Sequence, residues 1–204
     1  AGERLDWLLR YTTMLRYEDC QRFHFWPGFR AFLLWEMERE YTEEKRKALF
    51  SRGGLYYELK EDYAHALECY TSGGDNSKVS ELLVRNAELH PGMGHYAEME
   101  KYYRSLPETE ILASPSLMQG MSMLCALAMD YEGSERWYGE LQKFAEHCGR
   151  QDAAGKQARS SLAWLDISLP QRGVNGLTET IPAVFRLLTN KEVALPSFSV
   201  TSAL

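Results

Sequence analysis

The sequence predicts an all-α protein in which antiparallel helix pairs stack as a right-handed superhelix, preceded by a short β-hairpin. Three observations carry that expectation. Residues 50–74 spell a helical hairpin, with Gly54 and Tyr57 on a first helix, Ala66 and Tyr70 on a second, and Lys60-Glu61-Asp62 turning between them. Turn signals after Lys60, His90, Tyr131 and Leu169 recur at roughly 30–40 residues, the period of helix-pair repeats. The seven prolines all stand near predicted helix ends, where a fixed φ and a missing N–H do no harm.

The first 41 residues differ from the rest. Residues 3–11 look helical, with Leu5, Leu8 and Leu9 as the apolar face. Two β-prone runs, 14–17 and 21–25, flank Glu18-Asp19-Cys20 and suggest a hairpin. Pro27 then opens a helix with Phe29, Phe32, Leu33 and Met37 at helical spacing. Helix, two-stranded wing and helix form the closing half of a winged-helix domain.

From Thr42 to about residue 190 the chain reads as tetratricopeptide-like helix pairs. Thr42 caps a helix whose first turn holds Glu43 and Glu44, acids that suit the positive end of the helix dipole, and which runs to about Leu59. The next helix places Tyr63, Ala66, Leu67 and Tyr70 on one face and stops at Gly73-Gly74. Asp75 caps a third helix with Val79, Leu82, Leu83 and Ala87, broken at His90-Pro91-Gly92. Tyr96, Met99, Tyr103 and Leu106 make the stripe of a fourth. Ser114-Pro115 starts a fifth, with Leu117, Met121, Leu124, Cys125 and Ala128 inward. Gly133 turns into a sixth carrying Trp137, Leu141, Phe144 and Cys148, and a seventh carries Ala154, Ala158, Leu162 and Leu165. Residues 169–176 read as a loop, and Val184, Phe185 and Leu188 belong to a last helix. Residues 191–204 have no packing pattern and are expected to be a frayed, disordered end of a piece cut from a larger protein.

Charge and cysteine usage narrow the function classes. A net charge of −6 without a basic patch argues against tracking a nucleic-acid backbone, because that affinity needs clustered Lys and Arg. The four cysteines, Cys20, Cys69, Cys125 and Cys148, show no paired spacing and read as free reduced thiols, which suits a cytoplasmic location. No apolar run approaches the ~20 residues needed to span a bilayer.

Motifs with chemical potential are weak. Gly92-Met93-Gly94-His95-Tyr96-Ala97 fits G-x-G-x-x-A, but the fingerprint needs a buried strand before it and residues 82–89 read as helix. Residues 149–156 resemble a phosphate-binding loop only loosely, with five residues between the glycines and Gln157 where a magnesium-binding hydroxyl belongs. His90 with His95, and His147 with Cys148, lack metal-ligand spacing. No catalytic, cofactor-binding or metal-binding residues are therefore assigned, and the ligand-binding residues stay unknown. Seven tyrosines (Tyr56, Tyr57, Tyr63, Tyr70, Tyr96, Tyr102 and Tyr103) are dense enough that most must fill helix seams while the remainder can line a groove.

The order of wing, helix and hairpin resembles the middle of MalT-type, ATP-dependent LuxR-family transcriptional regulators. The family's winged-helix end commonly reads H-P-L-F-R-x-F-L, and this chain has Trp26-Pro27-Gly28-Phe29-Arg30-Ala31-Phe32-Leu33. The family's helical arm is matched by Gly54-Leu55-Tyr56-Tyr57-Glu58, Ala66-Leu67 and Gly73-Gly74-Asp75. The likeness is specific over residues 23–85 and architectural beyond. Trp26 stands where relatives often carry the histidine that senses nucleotide phosphates, with His24 close by but out of register.

The resemblance implies a non-catalytic sensing and coupling region. Its inducer or protein partner binds the repeats, and self-association belongs to the parent protein. So do ATP or ADP binding and DNA binding, which lie outside this segment. The alternative is a free-standing tetratricopeptide adaptor for protein partners. Against it, Lys78, Arg85 and Asn86 are a thin set for gripping a peptide carboxylate.

Overall fold

The computed structural model describes residues 14–19, 22–89, 96–149 and 152–172, with isolated positions 7, 10, 12, 182 and 185. They form a mostly helical protein with one small antiparallel β-hairpin. Strands β1 (Leu15–Asp19) and β2 (Arg22–Phe25) pair Leu15 with Phe25 and Tyr17 with Phe23, with a register shift between Tyr17 and Asp19. Both strands sit within a residue or two of their expected places. The helix expected over 3–11 lies outside the described residues apart from Trp7 and Arg10. Val184, Leu188 and the whole 191–204 segment lie outside them as well.

Helix α1 (Pro27–Glu40) starts at its proline, but the expected inward stripe is absent. It buries no residue, and Phe32, Leu33 and Trp35 are exposed. The reason is angular. Phe29, Phe32, Leu33, Leu34, Trp35 and Met37 are spread around the axis, so no single face collects them. Instead the rings of Phe25, Phe29, Phe32 and Trp35 contact one another in a ladder along the helix.

The hairpin of α2 (Glu43–Leu59) and α3 (Tyr63–Gly73) follows local chemistry closely. The Thr42 hydroxyl accepts from Lys45 N and the Asp62 carboxylate from His65 N, so each helix start has a side-chain cap. Gly74 ends α3 at φ 69°, a left-handed conformation glycine adopts without strain. Asp75 accepts from Lys78 N at 3.2 Å and starts α4 (Asn76–Leu89), which buries Val79, Leu82 and Leu83.

After α5 (Tyr96–Ser105) comes an unexpected short helix, α6 (Glu108–Leu112). Pro107 sets it up and Ile111 anchors it in the core. The centre of the molecule is α7 (Pro115–Leu127), buried at nearly every position from Pro115 to Ala126 and packed on α4, α5, α6, α8 and α9. A helix apolar all round must be enclosed. Ala128, expected on its inner face, instead lies in the exposed turn beyond its end.

Helix α8 (Tyr131–His147) begins two residues before the expected Gly133, because the Asp130 carboxylate accepts from Gly133 N at 2.9 Å and caps the helix there. Trp137 and Leu141 are buried as expected. In α9 (Ala153–Ser168) Ala158 and Leu165 face the core, whereas Ala154 is exposed and Gly155 takes the buried place against the Cys148 side chain. Residues 170–172 form a 3-10 turn in the expected loop.

The turn between α2 and α3 recurs between α7 and α8. Residues 59–63 (Leu-Lys-Glu-Asp-Tyr) and 127–131 (Leu-Ala-Met-Asp-Tyr) each hold a non-glycine residue at positive φ, Glu61 at 59° and Met129 at 61°. Asp62 N donates to Tyr57 O as Asp130 N donates to Cys125 O. The aspartates cap in the same way, and they stand 68 positions apart along the chain (62 to 130), twice the ~34-residue period of helix-pair repeats.

Candidate functional site

The tyrosines sort mostly into seams. Tyr70, Tyr96, Tyr102 and Tyr103 are buried, Tyr57 and Tyr63 pack partly buried against the core, and Tyr56 is exposed. Tyr70 rests on Gly54 and donates to a Glu58 carboxylate oxygen at 2.8 Å. Burial, followed by this bond to an anion, pushes its phenol well above its ordinary pKa. Lys78 Nζ closes the cluster, 3.9 Å from Glu58 and 2.9 Å from Glu81. Tyr102 ties α5 to α3 by donating to Ala64 O at 3.3 Å. These groups are committed to one another, and they hold helices together.

The second seam uses a polar pair. Ser122 on α7 donates to Ser134 O on α8 at 3.0 Å, and the two hydroxyls lie 3.1 Å apart. In the first hairpin the close approach is instead made by Gly54 beneath the Tyr70 ring. Gln171 Nε2 donates to Ser134 Oγ at 3.0 Å, and Arg172 joins Asp166 and Glu135 while lying over the Tyr138 ring. Burial and the Asp166 carboxylate push the Tyr138 phenol up to about 12.

The candidate sequence motifs acquire structural roles where they are described. Gly149 N donates to the Asp152 carboxylate at 2.9 Å, so the N–H group a phosphate would need already faces an anion. Gln157 donates to Ser116 Oγ at 2.8 Å. His147 Nδ1 lies 2.6 Å from Lys143 O at the end of α8. His90, His95 and the Gly92-Met93-Gly94 segment fall outside the described residues, but the α4 helix precedes them where the fingerprint needs a strand. Among the described residues no group of three or more His, Cys, Asp or Glu side chains could hold a metal ion. The Cys69 and Cys125 thiols are free, and burial pushes both pKa values up, which keeps them protonated. Lys78 is paired with Glu81 and Glu58, and the exposed Arg85 lies over the Tyr63 ring. Trp26 is half exposed, with the Arg16 guanidinium over its ring.

A cavity that sequence reasoning missed lies between α1, α2 and the end of α3. This groove has a volume of about 490 Å³. Leu34, Met37 and Phe50 give it apolar walls, and residues 71–74 close one end. Arg30, Arg46 and Lys47 line it, together with Glu38 and Glu43. Lys47 pairs with Glu43 at 2.8 Å, and Arg30 with Glu68 at 3.5 Å. Arg46 differs: its Nε is buried and has no hydrogen-bond partner. Thr71, another residue of the groove, has a hydroxyl that is also buried and unpartnered. Both atoms are closed off from the open space of the groove, as are unpartnered polar atoms of Ser80, Tyr96 and Tyr103 elsewhere in the molecule. No local pattern announces it, since its walls come from three consecutive helices and depend on how they pack.

No helix among the described residues is long and apolar enough to cross a membrane. Comparison of the chain with protein-family models, with curated proteins and with solved structures finds no match.

Proposed function

We propose that the chain is a non-catalytic sensing and coupling region of a MalT-type, ATP-dependent LuxR-family transcriptional regulator. In this reading its helix pairs stack as a right-handed tetratricopeptide-like superhelix. It works in the cytoplasm, receives an inducer or protein partner on the repeats, and binds neither DNA nor nucleotide itself.

One observation carries the reading. A two-stranded hairpin leads into the Phe29-Arg30-Ala31-Phe32-Leu33 helix, and that helix leads into the Gly54/Tyr70 hairpin, the order the resemblance implies. The repeated aspartate-capped turn supports the stacked-repeat part of it. The arm-like character of α1 supports the coupling part. A helix that buries none of its own residues is held loosely, and a guest between it and α2 would alter its position at little cost.

The test separates the segment from its parent. The isolated 204-residue chain should neither hydrolyse ATP nor retard promoter DNA in a gel, whereas the full-length parent does both. ATP turnover by the isolated chain would overturn the division of labour. A reading frame without a phosphate-binding loop upstream and a helix-turn-helix downstream would favour the adaptor instead. The exposed Leu55, Tyr56 and Leu59 on α2 give that second reading a surface on which a protein partner could dock.

A further inference from the structure

We propose that the outer face of α2, at Ala48, Arg52, Leu55 and Tyr56, docks an amphipathic helix of a protein partner whose carboxylate meets Arg52. This names a partner for the binding reading above and rests on the stacked-repeat part of that reading.

The repeated hairpin shows what covers such a face. Because the turns at 59–63 and 127–131 share their backbone, each residue from 47 to 59 has a counterpart on α7 68 positions further on (62 to 130). Ala48, Arg52, Leu55 and Tyr56 correspond in this way to Ser116, Gly120, Met123 and Leu124. The four positions span about 100° of the helix circumference, on the side away from Gly54 and the α3 seam. On α7 all four are buried, and the Tyr103 ring of α5 lies directly on Gly120. On α2 all four are exposed, Leu55 by 50% and Tyr56 by 58%. The side of α7 that α5 covers is thus present on α2 without a cover. Leu59 and its counterpart Leu127 are exposed in both copies and stand outside this patch. An end repeat that meets only water carries a polar outer face. Leu55 and Tyr56 instead give α2 the face of an interior repeat that lacks its neighbour.

Charge decides which helix fits. A plain copy of α5 does not, because a β-carbon on residue 120 would stand 2.5 Å from the Tyr103 hydroxyl, and α2 carries Arg52 at that place. Arg52 joins no ion pair among the described residues. Lys45, seven residues earlier on the same side, adds a second cation, which lies over the Tyr41 ring. Glu44 stands at the edge of the patch and offsets one of the two. A helix that seats apolar side chains on Leu55 and Tyr56 therefore carries a carboxylate opposite Arg52, where α5 has a ring. An uncharged residue there would cover the guanidinium without giving it an acceptor.

The probe is a peptide of residues 96–106, stapled on its solvent side to stay helical, which copies the element that covers α7. Fluorescence anisotropy measures its binding to the intact chain, beside the same peptide carrying Tyr103→Glu or Tyr103→Gln. The Tyr103→Glu peptide should bind, and the other two should bind roughly tenfold more weakly, the weight of a hydrogen bond to a charged group. In the chain, Leu55→Ser should weaken that binding several-fold, and Arg52→Ala should erase the preference for glutamate over glutamine. Both positions are exposed, so unchanged circular dichroism is expected. Arg52→Gly gives α2 the residue of α7 and should admit the unsubstituted peptide.

Equal binding of the Tyr103→Glu and Tyr103→Gln peptides would overturn the proposal, as would binding indifferent to both Arg52→Ala and Leu55→Ser. If only the Arg52→Gly chain binds, and only the unsubstituted peptide, the equivalence of the repeats stands and the acidic partner falls. If no peptide binds any of these chains, the equivalence falls with it. Sedimentation of the chain alone should show a monomer. A dimer that Leu55→Ser dissociates would assign the face to a second copy instead.

Discussion

The ring of Tyr70 lies so close over Gly54 that a β-carbon on residue 54 would sit 2.5 Å from Tyr70 Cε1. Tyr103 covers Gly120 in the same manner, with its hydroxyl 2.5 Å from the place of a β-carbon. In both seams a tyrosine on one helix fills the space that a glycine leaves on its neighbour. Gly54→Ala should therefore destabilise the protein by about 1–3 kcal/mol, the usual cost of overpacking. Gly139, on α8, meets nothing within 4 Å at its β-carbon. Gly139→Ala should stabilise by up to about 1 kcal/mol, since the helix loses its most flexible residue. Urea midpoints that move in opposite directions would establish the contrast, and a harmless Gly54→Ala would refute the close packing.

Tyr103 also carries a cost of its own. Its hydroxyl is buried without a hydrogen-bond partner. Leaving such a group unsatisfied costs about 1–3 kcal/mol, and removing it returns part of that. Tyr103→Phe keeps the ring over Gly120, and an increase in stability of about 1 kcal/mol is expected, or roughly 2–4 °C in Tm for a chain of this size. Calorimetry of the variant decides it, and a lower Tm would mean that the hydroxyl has a partner after all.

The two equivalent turns make a matched prediction. Glu61 and Met129 occupy left-handed backbone, where a side chain costs roughly 1–2 kcal/mol. Met129 is 78% exposed, so trimming it loses little packing. Met129→Gly and Glu61→Gly should each stabilise by about 0.5–1 kcal/mol once the greater freedom of glycine in the unfolded chain is subtracted. Similar gains at both sites would mark the turns as energetically equivalent. A gain at one and a loss at the other would deny the equivalence.

Much of this architecture was legible because its signals are local. Thr42, Asp62, Asp75 and Gly74 each terminate a helix through bonds to residues a few positions away, so their sequence spacing contains the answer. A turn near Tyr131 was legible but its equivalence to the first was not, because only Leu, Asp and Tyr persist between residues 59–63 and 127–131 while the backbone geometry is shared. Nor was the central place of α7 legible, since burial on every face erases the periodicity that assigns a side. The exposure of α1 had the same cause in reverse: its apolar residues satisfied a helical spacing without defining one face. The groove around Arg46 depends on three helices meeting, which spacing along the chain cannot convey.

Alkaline pH should unfold the protein through its phenols. In the unfolded chain a tyrosine releases its proton near pH 10, whereas Tyr138, buried and facing Asp166, holds its proton up to about 12. Burial pushes the Tyr70 and Tyr103 phenols in the same direction. The folded state therefore binds more protons than the unfolded state above pH 10. The stabilisation from each phenol is complete below pH 10, and that of Tyr138 is lost as the pH rises through about 12. Urea midpoints should stay level up to about pH 9 and then fall steeply between about pH 10 and 12. Tyr138→Phe loses the hydroxyl bond to Asp166, 2.9 Å long, at a cost of about 0.5–1.5 kcal/mol near neutrality. Having no proton to lose there, it should decline less steeply above pH 10. A decline parallel to that of the unsubstituted chain would show that Tyr138 titrates alike folded and unfolded.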